Sequence, residues 1–374
     1  MVIVGPAKPG SMTYPVLLAL GAVDAAGYSV IGPVLPALAA RLDAGPAVMG
    51  ALVSAFPLAM LVGFAAAGRL VRLGGLRLTV GLSIGVAATG SVVFALTSST
   101  PALFAARALM GLGSGGLWIA VTLATLAYWP GQEYLCISRI YAAYSVGALL
   151  GPSLGALGGV RAPFLAYAAL LLVLLPGLRA LRRAPDRAVG SDTSTVRTTG
   201  FWVAAVAIML AILAIGALDG VLPLHFAVLL SQTQIGLMYA GVAALIAIGS
   251  TLAGHYPPVR VLIIGAAALT VGLTLAGATT FLASWSVALV LLGLGAGLAQ
   301  TGATGLLLAA IPIEKIVTAL IVWSQLGILG YLAGPVVGGL IAEHLGYAAL
   351  GLLPVAVVAV LLLLAVTARR SGTR

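Results

Sequence analysis

Long apolar runs separated by short polar breaks dictate what this chain can fold into. Of its 374 residues, 62% are hydrophobic and only 7% are charged, a composition that the surface of a soluble domain of this size cannot tolerate. A helical membrane span needs about 20 predominantly apolar residues, whereas the strands of a membrane barrel alternate apolar and polar residues. The runs here are continuous, so the sequence predicts an integral membrane protein built of helices.

Twelve apolar runs have the length of a membrane span. They cover residues 14–40, 47–70, 77–98, 101–128, 137–160, 163–182, 201–230, 233–253, 259–281, 284–310, 316–342 and 347–368. A polar stretch rich in Arg, Ser, Thr and Asp separates the sixth run from the seventh and is interpreted as a cytoplasmic linker. The predicted domains are an N-terminal tail, a six-helix bundle, the linker, a second six-helix bundle and a C-terminal tail, at 1–13, 14–182, 183–200, 201–368 and 369–374.

The Lys and Arg residues predict the orientation. If both termini are cytoplasmic, fifteen of the 18 basic residues fall on the inner side, Arg41 and Arg161 fall on the outer side, and Arg107 remains inside a span. This distribution satisfies the positive-inside rule. We therefore expect a multi-pass protein of a prokaryotic plasma membrane with both termini in the cytoplasm.

The two predicted bundles repeat one pattern. Asp24 follows Gly21-Ala22-Val23 in span 1, and Asp219 follows Gly216-Ala217-Leu218 in span 7, 195 positions later. Parallel halves related by an axis along the membrane normal are one architecture of secondary transporters. The predicted fold class is an all-α membrane protein with twelve transmembrane helices in two pseudo-symmetric six-helix bundles.

Four motifs resemble those of one transporter family. They are a loop after span 2 with Gly68, Gly75 and Arg77, a buried Arg107 in span 4, a Gly-Pro motif at Gly151 and Pro152 in span 5, and its copy at Gly334 and Pro335 in span 11. Essentially the whole chain resembles the major facilitator superfamily, and span 1 is similar to that of its twelve-span drug:proton antiporters. The loop departs from the family pattern, because Arg72 stands where the family has Asp.

The resemblance implies roles for these motifs. In the family the buried arginine is implicated in proton transfer, the Gly-Pro motif is typical of antiporters, and the loop Asp latches the cytoplasmic side to span 11. A helix N-terminus repels a cation, so we hypothesise that Glu314, just before span 11, compensates by pairing with Arg72.

Asp24 and Asp219 are the candidates for coupling to protons. A charge at the centre of a membrane helix costs about 2.5–3.5 kcal/mol on insertion scales, so such residues usually mark an ion or substrate path. Burial disfavours the charged form of a carboxylate, which can then bind a proton near neutral pH and release it when a cationic substrate arrives. The alternative is that one Asp only neutralises Arg107 or caps a broken helix. Arg107 either tunes Asp24 or ties the first bundle together through backbone carbonyls.

Polar and aromatic side chains within the spans are candidates for substrate binding. Aromatic rings can stack on a cation, amides can bond a substrate or join two helices, and a histidine at a helix end suits proton relay but is also common at the membrane interface. The candidates are Tyr28, Trp118, Tyr144, His225, Gln300, Trp323 and Gln325.

Two motifs of soluble enzymes occur by chance. Residues 111–116 satisfy G-x-G-x-x-G, but they lie in an apolar helix with no preceding strand, so we interpret them as close helix packing. Residues 151–155 satisfy the nucleophile-elbow pattern without its strand-turn-helix context. We expect no enzymatic activity, no cofactor and no metal site.

The combined prediction is a proton-coupled antiporter that exports small lipophilic or cationic molecules by alternating access. Its partners are a small-molecule substrate, protons and the lipid bilayer; we expect a monomer and no binding to nucleic acid. A symporter or facilitator for a neutral nutrient such as a sugar is the alternative among transporters. A membrane receptor or scaffold without transport is the alternative of another class.

Overall fold

The protein is helical throughout the part of the chain that the structure describes. This computed structural model describes residues 12–129, 132–181, 198–253, 256–311, 316–355 and 359. The helices are α1 Thr13–Ser29, α2 Leu35–Leu42, α3 Pro46–Leu96, α4 Thr100–Tyr128, α5 Glu133–Gly155, α6 Arg161–Val173, α7 Thr199–Phe226, α8 Gln232–Ala253, α9 Pro258–Ala278, α10 Leu282–Ala310 and α11 Ile316–Leu345. Short 3-10 turns occupy Gly32–Val34, Leu175–Ala180 and Tyr347–Gly351.

The observed helices follow the predicted spans with three differences. Span 1 breaks into α1 and α2 at Gly32–Val34, because Pro33 has no N–H group to continue the helical hydrogen bonds. Spans 2 and 3 are two helices that follow each other without an intervening loop, together labelled α3, and they meet at a kink at Gly75, whose positive φ of 78° favours glycine. Span 6 ends as an α-helix at Val173 and continues as a 3-10 turn.

Among the described residues, nine helical segments are long and apolar enough to cross a membrane, and α3 counts once among them. The predicted span 5 corresponds to α5, which is not one of the nine. Most of the predicted span 12 lies outside the described residues, so its crossing stays a prediction. The fold is that of an all-α membrane protein.

The chain forms two compact units. The first contains residues 1–37 and 55–191, and the second contains residues 38–54 and 192–374. The chain passes from the first unit to the second between the described residues 181 and 198, which flank the predicted linker. The assignment of all of residues 14–182 to one bundle and 201–368 to the other stays a prediction.

In the first unit, glycines let α4 pack closely on both parts of α3. A Cβ on Gly111 would collide with the carbonyl of Phe56, and one on Gly113 would lie 2.5 Å from the carbonyl oxygen of Ser83. Small residues at such crossings allow two backbones to approach, which is the main source of helix association in lipid. The interpretation of residues 111–116 as a packing motif is confirmed.

The Gly-Pro motifs serve the same packing in both units. In the first unit, Gly151 of α5 lies against the carbonyl of Ala26 in α1. In the second unit, Gly334 of α11 lies against the carbonyl of Leu213 in α7. The repeat seen in the sequence is therefore a repeat of helix pairs, α1 with α5 and α7 with α11.

We expect Gly111→Ala to lower the free energy of unfolding by about 1–3 kcal/mol, because the added methyl group overpacks the contact with Phe56. Gly85→Ala is the matched control, since a Cβ there meets nothing within 4 Å and alanine favours a helix over glycine. Thermal unfolding of the purified variants in detergent measures the difference. Equal losses in both variants would contradict the packing role.

Candidate substrate and proton site

Asp24 lies at the centre of the candidate site, in the middle of α1. Its side chain is 1% exposed, and its Oδ2 accepts a hydrogen bond of 2.6 Å from the hydroxyl of Tyr144 in α5. Its Oδ1 has no hydrogen bond of ordinary geometry among the described residues, although the hydroxyl of Ser114 in α4 lies near the carboxylate. A buried carboxylate with one oxygen unpaired can accept a proton or a donor group from a ligand.

Aromatic rings surround the Tyr144 side of this carboxylate. The ring of Trp118 in α4 meets the ring of Tyr144 edge-on, with centroids 4.7 Å apart, and meets the ring of Tyr141 at 5.3 Å. All three side chains are partly buried. The first unit therefore places an aromatic cluster (Trp118, Tyr141 and Tyr144) directly beside a carboxylate.

Arg107 binds the broken end of α1. Its Nη1 and Nη2 atoms donate hydrogen bonds of 2.7 Å to the carbonyls of Gly27 and Tyr28. At the break, Val30 N still donates to the carbonyl of Ala26, and the next main-chain bonds, from Val34 and Leu35, go to Ile31. A cation at a helix C-terminus pairs with the partial negative charge of the last carbonyls.

The surroundings of the Arg107 guanidinium are apolar and aromatic. The side chain is fully buried, and the guanidinium carbon lies 4.6 Å from the ring centroid of Phe56 and 5.9 Å from that of Tyr28. These cation–π contacts favour a desolvated cation. Arg107 and Asp24 do not form an ion pair, because both terminal nitrogens bind carbonyls and Nε has no described partner. The geometry is that of a tie to backbone carbonyls; a part in proton transfer stays a prediction.

Asp219 occupies a different environment from Asp24. It is half-buried in α7 and lies within electrostatic range of Tyr239 in α8 and Tyr331 in α11. Tyr239 donates a hydrogen bond of 2.8 Å to the carbonyl of Leu218, next to the carboxylate. The two carboxylates therefore share a position in the sequence repeat but differ in exposure.

The structure does not bring His225 into contact with either carboxylate. Its Nε2 lies 3.1 Å from the carbonyl oxygen of Thr279, and its ring stacks on that of Tyr347 with centroids 4.6 Å apart. Trp285 meets the same ring at 5.6 Å. His225 thus belongs to an aromatic cluster at the end of α7, where a part in substrate binding stays a prediction.

The remaining substrate candidates lie on α10 and α11. Trp323 is 6% exposed and donates a hydrogen bond of 3.0 Å to the carbonyl of Ala204 in α7, so its indole joins two helices. Gln300 and Gln325 are half-buried. Their proposed contacts with substrate stay predictions.

In the loop motif after span 2, Arg77 makes hydrogen bonds to the main chain at the end of span 6. Arg77 donates to the carbonyls of Leu178, Arg179 and Leu181 at 3.0–3.1 Å, so it caps the end of span 6. Arg72 is exposed, and Gly68 is half-buried with open space around its Cα. Glu314 lies outside the described residues, so its pairing with Arg72 stays a hypothesis.

The structure adds two residues that the sequence did not single out. Phe56 contacts the Arg107 guanidinium, and Tyr167 of α6 places its hydroxyl against the Cα of Gly27. Tyr167 carried a signal in the sequence, a hydroxyl inside an apolar span. Phe56 carried none, because a phenylalanine in a span is ordinary.

We expect Arg107→Lys to lower the free energy of unfolding by about 1–3 kcal/mol, because one ammonium group cannot reproduce the planar fork on two carbonyls and leaves a buried acceptor unpaired. Arg161→Lys, at an exposed arginine of α6, is the matched control and should leave stability unchanged. Thermal unfolding in detergent compares the two. A stable Arg107→Lys protein would show that the carbonyl contacts contribute little.

Comparison with solved structures identifies the fold. A bacterial homologue of the human lysosomal transporter Spinster, in an inward-facing and occupied conformation, superposes with a TM-score of 0.77 at 15% identity, covering 91% of this chain and 83% of the homologue. A bacterial Spinster homologue in an inward-facing and unoccupied conformation gives a TM-score of 0.72 at 17% identity, covering 95% and 96%. These likenesses establish a shared fold.

No curated protein sequence matches the chain significantly. The sequence profile of the Major Facilitator Superfamily matches residues 17–225, more than half of the chain. The profile covers the carboxylates of both repeats, the buried arginine and the Gly-Pro motif of α5. The chain belongs to the Major Facilitator Superfamily and is a membrane transporter, not an enzyme.

Proposed function

We propose that this transporter is a proton-coupled antiporter that exports small lipophilic or cationic molecules by alternating access. The observation that carries the proposal is the state of Asp24, which is a buried carboxylate with one oxygen bonded to Tyr144 and the other unpaired among the described residues. Such a carboxylate binds either a proton or a cationic group of the substrate, but not both at once. Competition between a proton and a substrate for one carboxylate produces exchange.

The absence of an ion pair with Arg107 supports a proton-binding Asp24. A carboxylate held beside a guanidinium stays ionised, because the opposite charge favours the charged form. Arg107 instead directs its terminal nitrogens to the carbonyls of Gly27 and Tyr28. Asp24 therefore keeps the freedom to change its charge, which coupling requires.

The aromatic cluster indicates the substrate class. Rings of Trp118, Tyr141 and Tyr144 present π faces and edges next to the carboxylate. A lipophilic cation gains from both features, through cation–π contacts with the rings and charge pairing with Asp24. A multiply charged anion would gain from neither.

Asp219 is proposed as the counter-charge for substrate in the second unit. It is more exposed than Asp24 and has the hydroxyls of Tyr239 and Tyr331 nearby. A half-buried carboxylate with two tyrosines in electrostatic range suits transient contacts with a moving ligand. Asp24 is then the better candidate for the proton.

In proteoliposomes with an imposed pH gradient, we expect Asp24→Asn to abolish gradient-driven movement of a lipophilic cation and to leave downhill exchange measurable, because the amide cannot carry a proton. Asp219→Asn should lower the transport rate of the lipophilic cation, while the remaining transport should still depend on the pH gradient. The matched control is Asp43→Asn, at an exposed residue with φ of 49°, since asparagine also tolerates this left-handed backbone.

Undiminished gradient-driven uptake in both the Asp24→Asn and the Asp219→Asn protein would overturn the coupling proposal. Uptake that is independent of the gradient in the wild type would instead favour a facilitator for a neutral nutrient. Proton and substrate moving in the same direction would favour a symporter.

We expect Trp118→Ala to weaken binding of tetraphenylphosphonium about 5- to 30-fold, because a desolvated cation–π contact contributes about 1–2 kcal/mol. Trp202→Ala, which removes a tryptophan that is 47% exposed on α7, is the control and should leave the affinity unchanged. Titration calorimetry at two pH values measures both. Acidification should weaken binding to the wild type, and Asp24→Asn should remove this dependence on pH.

A further inference from the structure

Ser114 has the one polar side chain of the packing motif at residues 111–116. It is 2% exposed in the middle of α4, two turns after Arg107 and one turn before Trp118. Residues with this spacing share one face of a helix. Arg107 bonds to the main chain of α1, and the ring of Trp118 meets that of Tyr144. The face of α4 that carries Ser114 is therefore turned toward α1.

Two contacts fix how α4 lies along α1. Arg107 bonds to the carbonyl of Tyr28 at 2.7 Å, and the rings of Tyr14 and Trp129 meet at the other ends of the two helices, with centroids 5.0 Å apart. The helices therefore run in opposite directions. Since each residue adds about 1.5 Å to a helix, the carboxylate of α1 comes level with the turn of α4 that contains Ser114. The Ser114 hydroxyl accordingly lies near that carboxylate.

The Ser114 hydroxyl has a second acceptor on α3. It donates to the thioether sulfur of Met60 at 3.8 Å. The backbones of α3 and α4 cross closely here, because a Cβ on Gly115 would collide with the carbonyl of Met60. Ser114 is thus held between the carboxylate of α1 and the sulfur of α3.

The two acceptors differ in strength, and the difference depends on the charge of Asp24. A hydroxyl has one hydrogen to donate, and a thioether is a weak acceptor. A hydrogen bond to an ionised group is about twice as strong as one between neutral groups. Ionised Asp24 therefore attracts the hydrogen of Ser114, whereas protonated Asp24 leaves it on Met60.

We propose that Ser114 is a positioning residue for Asp24, whose hydroxyl donates to the carboxylate when Asp24 is ionised and to Met60 when Asp24 is protonated. The change exchanges a bond between α4 and α1 for a bond between α4 and α3. Protonation thereby alters which helices of the first unit are joined. The use of this exchange in transport rests on the proposed role of Asp24 as the proton carrier.

The bond from Ser114 affects the pH at which Asp24 changes its charge. The titratable or charged groups that face Asp24 from the helices packed on α1 are Tyr144 of α5, Tyr167 of α6 and, one turn further along α1, Arg107 of α4. The 3-10 turn after α6 bonds to the first residue of α1, so its Arg179 lies about three turns from Asp24. A hydrogen bond donated to a carboxylate favours the ionised form. Removal of the Ser114 hydroxyl therefore moves the protonation midpoint of Asp24 to higher pH.

Infrared titration of the Asp24 carboxyl band in the full chain tests the bond to the carboxylate, with Asp24→Asn identifying the band. We expect Ser114→Ala to raise the midpoint by about one to two pH units, the effect of one lost bond to a charged group. Ser114→Thr keeps the hydroxyl and should retain the wild-type midpoint.

The matched control is Ser91→Ala, which removes another buried serine hydroxyl of the first unit. Ser91 donates to the carbonyl of Phe164 at 2.7 Å, so its loss costs a bond between helices and should leave the Asp24 midpoint in place. An unchanged or lowered midpoint in Ser114→Ala overturns the proposal, as does an equal rise in Ser91→Ala.

Met60→Leu tests the second acceptor, because leucine nearly conserves the volume of methionine and removes the sulfur. This change takes a partner from the protonated state, so the midpoint of Asp24 should fall by a fraction of a pH unit. The double variant Ser114→Ala with Met60→Leu should titrate like Ser114→Ala alone, since no hydroxyl is left to exchange. A midpoint that stays or rises in Met60→Leu overturns the exchange, and so does a fall that persists without the hydroxyl.

The two hypotheses fail separately. An unshifted midpoint in Ser114→Ala, with gradient-driven transport still dependent on Asp24, removes the role of Ser114 and leaves the antiporter. A shifted midpoint in a protein whose transport ignores Asp24 leaves the hydrogen-bond exchange and removes the coupling role.

Discussion

The hydrogen-bonding demand of the backbone in lipid underlies the candidate site. A helix that breaks inside a membrane leaves carbonyls without partners, and lipid cannot supply them. At the break of span 1, Arg107 supplies two donors to the carbonyls of Gly27 and Tyr28. The same arginine is thereby withdrawn from Asp24, three residues before the first of these carbonyls. Because Arg107 bonds to the unpaired carbonyls of α1, it does not pair with Asp24, and the carboxylate can therefore gain or lose a proton.

Close approach of backbones holds α1 against α5 and α7 against α11. Gly147 and Gly151 of α5 and their counterparts Gly330 and Gly334 of α11 lie against carbonyls of α1 and α7. Such contacts replace the hydrophobic driving force that helices lack within a membrane. Each helix pair packed in this way carries one carboxylate, Asp24 on α1 in the first unit and Asp219 on α7 in the second. Each carboxylate therefore lies on a helix whose partner fixes its position along the span.

The two halves of the repeat have diverged in what surrounds their carboxylates. Asp24 is buried, with Tyr144 bonded to it and Trp118 beyond. Asp219 is half-buried and has tyrosines nearby. A buried group responds to protons more than to bulky ligands, whereas an accessible group can meet both. This asymmetry is the physical basis for assigning the two residues different proposed tasks.

The sequence by itself determined the membrane class, the helical spans and the repeat, because hydrophobic length and charge bias act residue by residue along the chain. It also singled out Asp24, Asp219 and Arg107, since each is an unfavourable charge in an apolar run. It left the task of Arg107 open between a partner for Asp24 and a tie to carbonyls. It also separated spans 2 and 3, and the structure shows the kink at Gly75 that divides these two helices.

Only the tertiary structure decided which groups meet. Arg107 bonds to Gly27 across 80 positions of the chain, and Tyr144 bonds to Asp24 across 120. Tyr167 lies beside Gly27 although about 140 positions separate them. No local sequence pattern encodes such long-range contacts. The pairing state of a buried group depends on every helix around it. The sequence could therefore name the charged residues, and the packing of α1, α4, α5 and α6 decided which of their atoms are satisfied.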